Sequence, residues 1–187
     1  MAAGKAVAAV SGKFAVRNQK NEQDLRVKLK ETGFKKIFMG SEISGELNFV
    51  RRTNSAYFSA AVYNKFKEFI GQVENSVRSR GITAQVQILK ADGGTIPLAA
   101  ALEQPVEAVF TGPAASVLGI EALDAPSVNA ISLDVGGTTT DIAFWSCGSP
   151  LLANRDAKID GYPTTVRAFH MSSIVLGICL GYGLAFA

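Results

Sequence analysis

Between Ala130 and Trp145 the chain runs apolar, turns on Asp134-Val135-Gly136-Gly137-Thr138-Thr139-Thr140-Asp141, and resumes an apolar pattern at Ile142, Ala143, Phe144 and Trp145. Strand, tight turn, strand is the local structure that order predicts. Gly-Gly between alternating apolar residues is an ordinary hairpin turn, and Asp and Thr suit turns in any case. A plain hairpin needs neither two aspartates seven residues apart nor three hydroxyls in a row. Glycines let the backbone come close to a ligand. Consecutive backbone N–H groups in such a bend form an anion-binding nest. Threonine hydroxyls add donors, and flanking carboxylates can hold Mg²⁺ through its waters. The full Asp-x-Gly-Gly-Thr-x-x-Asp pattern therefore reads as a phosphate cradle built on a hairpin.

What precedes this stretch reads as alternating strands and helices. Ala6 to Val10 is a short buried strand closed by Ser11-Gly12. Asn21-Glu22-Gln23-Asp24 offers a helix start, and Gly33 ends that helix. Lys36 to Met39 is a second strand, followed by a polar loop from Gly40 to Leu47. Arg51 and Arg52 come next, as an anion clamp or as surface residues. Thr53 or Asn54 caps a long helix to about Arg80, whose apolar positions from Ala56 to Val77 step by three and four and so face a core; Gly81 terminates it. Val86 to Leu89 is a strand. Asp92-Gly93-Gly94-Thr95 repeats part of the later motif as a turn without strands on both sides. Ile96 to Leu102 reads as a short helix and Val106 to Phe110 as a strand.

Thr111-Gly112-Pro113 then opens a helix to about Leu123, with Pro113 at its first position. Its small residues, Ala114, Ala115, Ser116 and Gly119, allow close packing on a sheet. Gly112 marks either a tight strand-to-helix junction or an anion site at a helix N-terminus. After the hairpin, Leu151 to Ile159 and Thr164 to Phe169 read as strands joined by Gly161-Tyr162-Pro163. The order argues for α/β layers around a mostly parallel sheet.

Composition narrows the function class. Nineteen basic against sixteen acidic residues leave a net charge of +3. That is too small to argue for nucleic acid, and no basic cluster has interleaved aromatics. Cys147 and Cys179 form no metal spacing and no disulfide framework, which makes a reducing cytoplasm the expected location. His170 is the sole histidine and reads as structural. The start, through Val10, is too short and too broken by Lys5 for a signal peptide. The uncharged stretch from Ile174 to Ala187 falls short of the roughly 20 residues of a membrane span and reads as a buried strand or helix.

Asp134 to Asp141 resembles the second phosphate motif of the actin-like ATPase superfamily. More specifically, the chain resembles the hydantoinase A/5-oxoprolinase family. Further segments match in order: Ser11 to Asn18, Gly40 to Gly45, Arg51 to Ala56, Ala91 to Gly94, Thr111 to Ala115, and Asp160 to Pro163 with Val166-Arg167. The resemblance implies an α/β, actin-like ATPase (ribonuclease H-like) fold that is incomplete here. Residues 1–126 would be the C-terminal part of the first α/β domain with connecting helices. Residues 127–187 would begin the second domain, with the phosphate-binding hairpin. The implied activity is ATP-dependent hydrolysis of cyclic amides or imides, of hydantoin or 5-oxoproline type. ATP would phosphorylate the ring carbonyl oxygen and water would attack the activated carbon, chemistry that rests on positioning and charge neutralisation. The implied cofactors are ATP and Mg²⁺. Nucleotide-contacting residues would be Asp134, Gly136, Gly137, Thr138, Thr139, Thr140, Asp141 and Gly112, with Asp134 and Asp141 at the metal. The resemblance names no catalytic base.

Two departures from the family pattern stand out. An upstream Asp-Gly-Gly-Thr phosphate motif is absent, and the residues after Ile174 are apolar where relatives continue with a glycine-rich polar loop. The chain thus reads as a fragment carrying one side of a nucleotide cleft, inactive alone and prone to a partner subunit or oligomer. Two other readings share the motif: a small-molecule or sugar kinase of the same superfamily, and a non-catalytic nucleotide-binding remnant. A small-molecule substrate, with neither nucleic acid nor membrane as partner, is common to the two enzymatic readings.

Overall fold

The computed structural model describes residues 7–153 and 157–174. In chain order the elements begin with β1 (Val7–Val10), α1 (Lys20–Glu31), β2 (Lys36–Met39), α2 (Gly40–Ile43) and α3 (Phe49–Ser79). Then come β3 (Gln87–Leu89), β4 (Thr95–Pro97), α4 (Leu98–Glu103), a 3-10 turn (Pro105–Ala108) and α5 (Thr111–Asp124). The remainder is β5 (Ala130–Val135), β6 (Thr140–Ser146), β7 (Ser149–Pro150), β8 (Lys158–Ile159), β9 (Tyr162–Pro163) and β10 (Met171–Ile174). These elements form two compact units.

The first unit holds the described residues within 7–88, 96–109 and 157–166. β1 and β2 pair in parallel, Val7 opposite Lys36 and Val10 opposite Met39, joined through α1. Parallel strands need such a crossover, because no short turn can reverse the chain twice. Gly33 ends α1 in the left-handed region at φ 98°, and Phe34 N–H returns to Leu29 O. α3 lies against both strands and buries Ser55, Ala56, Phe58 and Ser59. It starts at Phe49, ahead of the cap expected at Thr53 or Asn54, because the Asn48 side chain accepts the Arg51 N–H and caps it. The β8–β9 hairpin is tied to α3 by Asn54 Nδ2 donating to Pro163 O at 2.8 Å.

The second unit holds the described residues within 89–95, 110–153 and 167–174. Its sheet has the order β5-β6-β10, with β7 also on β6, and every pairing is antiparallel. Alternation assigns the two faces. Ala130, Ser132 and Asp134 share a face with Trp145, Ala143 and Asp141. On that face Ala143 and Trp145 form a core with Ala114 and Val117 of α5 and with Phe169. The opposite face carries Ile131 and Leu133, 65% and 62% exposed.

The mixed α/β class holds, whereas several local expectations do not. Among the described strands β1 and β2 pair in parallel, whereas β5–β6, β6–β7 and β8–β9 pair antiparallel across short turns and β10 returns from further along the chain to pair antiparallel with β6. Val106 to Phe110 is no strand. Pro105 opens a 3-10 turn there, and Phe110 sits left-handed at φ 68° before α5. Because α5 begins at Thr111, Pro113 is its third residue. Gly40–Ile43 is one helical turn, not loop. Ile96 and Pro97 end β4, and the helix after them starts at Leu98. Asp92-Gly93-Gly94 does lie between strands, β3 and β4. Thr164 to Phe169 forms no strand, apart from one bridge between Leu152 and Phe169, and Val166 is buried. Of the strand expected over 151–159, residues 154–156 lie outside the described residues, as do Ala6 and the stretch after Ile174. No helix among the described residues is long and apolar enough to cross a membrane.

Candidate functional site: an acid-flanked glycine turn

β5 and β6 are joined by the four residues Gly136, Gly137, Thr138 and Thr139. The register places Asp134 directly opposite Asp141 and Val135 opposite Thr140. Directly opposed residues share a face, with Cβ atoms about 5 Å apart, and two like charges there repel. Both carboxylates lie on the face that α5 covers further along the sheet, and Asp134 itself is exposed. Ser173 of β10 stands opposite Asp141 on the same face. From α5, Ser116 donates its hydroxyl to Asp134 Oδ2. Ser116 Oγ also lies 3.5 Å from Gly112 O, so one side chain joins the start of α5 to the acid pair.

The turn residues differ in what they can offer. Gly136 N–H is engaged, donating to Thr139 O at 2.9 Å. A Cβ on Gly136 would meet that same carbonyl at 3.1 Å. Gly137 has neither constraint: its φ is not in the left-handed region, and a Cβ there would meet nothing within 4 Å. Gly136 N–H is thus taken, and the N–H groups of Gly137 and Thr138 have no backbone acceptor among the described residues. Thr138 is exposed and Thr139 half-buried, whereas Thr140 is buried within β6. Gly112 is the second residue of α5, a helix start without a side-chain cap, and it too has open space where a Cβ would stand. The nearby Thr111 hydroxyl is fixed on Leu89 O at 3.0 Å.

The donor set suits Mg²⁺ better than a metal that needs a closed protein cage. Mg²⁺ is commonly held by one or two carboxylates, with water and phosphate oxygens completing its octahedron. Two opposed aspartates fit that pattern, and a cation between them would remove their repulsion. Among the described residues no group of three or more His, Cys, Asp or Glu side chains is arranged for a metal. His170 packs its ring 5.2 Å from that of Phe144, as suits a structural residue. Arg52 is neither clamp nor surface residue: it is fully buried in the first unit. Ser116, which the sequence marks only as a small packing residue, and Ser173 join the site in the fold. Ser116 lies four residues after Gly112, one helical turn, and that spacing was the available signal; nothing local marks Ser173.

Fold and turn together define a mixed α/β protein with a glycine turn set between opposed carboxylates, and comparison with known proteins gives the class a family. The hydantoinase/oxoprolinase family model matches residues 52–180. More than half of the 187 residues are covered, and the chain belongs to that family. It is 25% identical over 122 residues to the 5-oxoprolinase of Saccharomyces cerevisiae, a match covering 64% of this chain and 9% of that protein. It is 26% identical over 159 residues to an uncharacterised Methanocaldococcus jannaschii protein, covering 75% of this chain and 23% of that one. The nucleotide-free structure of acetone carboxylase, an enzyme of ATP-dependent acetone carboxylation, superposes with a TM-score of 0.79 at 21% identity, over 91% of this chain and 25% of that chain. The ATP-dependent caprolactamase of Pseudomonas jessenii superposes with a TM-score of 0.66 at 19% identity, over 88% of this chain and 24% of that chain. The chain therefore spans a quarter or less of these proteins, and at such identity the two structures show its fold.

Proposed function

We propose that this chain is part of an ATP-dependent hydrolase that opens cyclic amides or imides of the hydantoin or 5-oxoproline type, with the β5–β6 turn as one side of the nucleotide site. The observation that carries the reading is Gly137: exposed, unstrained and with room for a side chain, it answers no need of the fold. Absence of a side chain at such a position lets a ligand approach the backbone. Family membership supports the reaction class, and two structural relatives are ATP-dependent enzymes. In this reading residues 1–126 close the first domain and residues 127–187 open the second.

When bound, ATP supplies the phosphoryl group that activates the ring carbonyl, and Mg²⁺ neutralises charge on the phosphates. Gly137 and Thr138 N–H groups would donate to phosphate oxygens, assisted by the Thr138 and Thr139 hydroxyls. Asp134 and Asp141 would hold the cation or its waters. Ser116 orients Asp134 for that task. The fourteen-residue α5 presents its N-terminal end, at Gly112, toward negative charge. The exposed Ile131 and Leu133 face supports the expectation of a covering partner subunit or oligomer, and ring opening belongs to that fuller assembly.

Calorimetric titration of this chain with Mg·ATP tests the nucleotide half of the proposal. Saturable binding that Asp134→Ala weakens at least about tenfold is expected. No heat at millimolar nucleotide would overturn it for this chain. Assays of longer relatives on hydantoin and 5-oxoproline test the reaction; a phosphorylated product instead of a ring-opened one would assign a kinase.

A further inference from the structure

The first unit holds a second charged feature, unconnected with the glycine turn. Arg52 is fully buried on α3, yet no carboxylate lies within 4.0 Å of it among the described residues. Its guanidinium donates from Nη1 to Glu46 O, and from Nη2 to Gly12 O at 2.9 Å and Lys13 O at 3.3 Å. Arg52 Nε is buried and has no partner. The two nearby acids are engaged elsewhere. The Glu46 carboxylate pairs with Arg51 at 3.5 Å. The Glu22 carboxylate accepts Gly12 N–H at 2.7 Å and the Ser41 hydroxyl at 2.5 Å.

A buried cation held only by carbonyl dipoles is costly, because desolvation of the charge is not offset by a counter-charge. Arg52 lines a cavity of about 320 Å³ under the loop that follows β1. Two more cations, Lys13 and Arg17, line the same cavity, and neither has a carboxylate within 4.0 Å among the described residues. The remaining wall is apolar: Phe14, Val16, Leu47 and Phe49, with Phe14 and Leu47 each 71% exposed. The exposed Lys13 and Arg17, with the buried Arg52 charge on the same cavity, would suit any anion. Exposed aromatic and aliphatic walls select one that carries an apolar body, since only such a ligand covers them.

We propose that this cavity is a binding site for a small carboxylate with a compact apolar body, its carboxylate paired with the exposed Lys13 and Arg17 in the field of the buried Arg52 and its body against Phe14, Leu47 and Phe49. The loop from Gly12 to Arg17 is fixed for the purpose from beneath. Arg52 holds its carbonyls, Glu22 holds its first N–H, and Ala15 is buried as an anchor. The site does not depend on the nucleotide reading.

The test is titration of the full chain with benzoate, followed by calorimetry and by the ring resonances of Phe14 and Phe49. Benzyl alcohol serves as the neutral isostere and inorganic phosphate as the anion without a body. Benzoate is expected to saturate with a Kd near or below about 1 mM. Benzyl alcohol should bind at least tenfold more weakly, as should benzoate to an Arg17→Gln, Lys13→Gln variant. Both substitutions sit on exposed or half-exposed loop positions and leave Arg52 in place, so thermal unfolding should be unchanged. The proposal is overturned by the absence of a saturable benzoate shift. It is equally overturned by equal binding of benzyl alcohol, by an unaffected variant, or by phosphate binding as tightly as benzoate, which would mean a generic basic patch.

Discussion

The chain contains two Gly-Gly turns led by an aspartate, Asp92-Gly93-Gly94 and Asp134-Val135-Gly136-Gly137, and they use their glycines for opposite reasons. In the turn between β3 and β4, Gly93 takes φ 86°, and a Cβ there would stand 2.9 Å from Phe169 Cζ in the core of the second unit. Asp92 is turned inward on its own loop: Oδ1 accepts Gly94 N–H at 3.0 Å, and Oδ2 lies 3.4 Å from Lys90 Nζ. In the turn between β5 and β6, Gly137 is unstrained with nothing within 4 Å, and Asp134 faces a second aspartate. The first turn has its conformational and polar demands met from within. The second has open space and unneutralised charge. Motif letters alone therefore do not separate structural glycine from ligand-binding glycine; φ, the space beside Cα and the partner of the acid do.

The comparison can be broken by substitution. Gly93→Ala should cost the most, about 2–4 kcal/mol, from backbone strain and overpacking of Phe169 together. Urea unfolding of the variant measures it, and a loss below about 1 kcal/mol would make the two turns alike. Next in size is Asp134→Ala, expected to weaken Mg·ATP at least about tenfold, or about 1.4 kcal/mol. Asp92→Ala should leave that affinity unchanged while lowering stability by about 1 kcal/mol, the usual net value of a hydrogen bond. Nucleotide binding that responds equally to both aspartates would remove the distinction. The smallest stability effect belongs to Gly137→Ala, within about 0.5 kcal/mol of the parent. The same variant should still bind Mg·ATP measurably less well, because its methyl group occupies the approach to the backbone. A Gly137→Ala chain that binds normally would show that the open space at this turn has no ligand.

Much of the fold was legible locally. The β5–β6 hairpin, the second strand at Lys36–Met39 and the long helix ending before Gly81 follow from periodicity and glycine stops, and all three appear. Errors gathered where local preference and packing disagree. Val106 reads as a strand residue by its neighbours, yet it is fully buried in a 3-10 turn behind Pro105. Thr164 to Phe169 reads as a strand for the same reason and instead forms none, Phe169 making a single bridge to Leu152. At the candidate site, Asp134, Gly137, Thr138 and Asp141 were legible as a motif. Ser116 and the engaged Gly136 N–H were not, because each is defined by its partner and not by its neighbours.

Sequence by itself determined the family, the class of fold and the address of the phosphate-type turn. These rest on residue order over a few positions, where turn chemistry and periodicity act. Tertiary structure decided which polar groups are satisfied and which remain open. Arg52 could have been a surface charge or a clamp; its burial, and the loop carbonyls it meets some forty residues earlier in the chain, follow only from packing. Asp92 and Asp134 begin nearly the same letters, and only their three-dimensional partners set them apart. The physical reason is common to all three: the energy of a charge depends on what lies within a few ångströms of it, and the fold brings those neighbours from far along the chain.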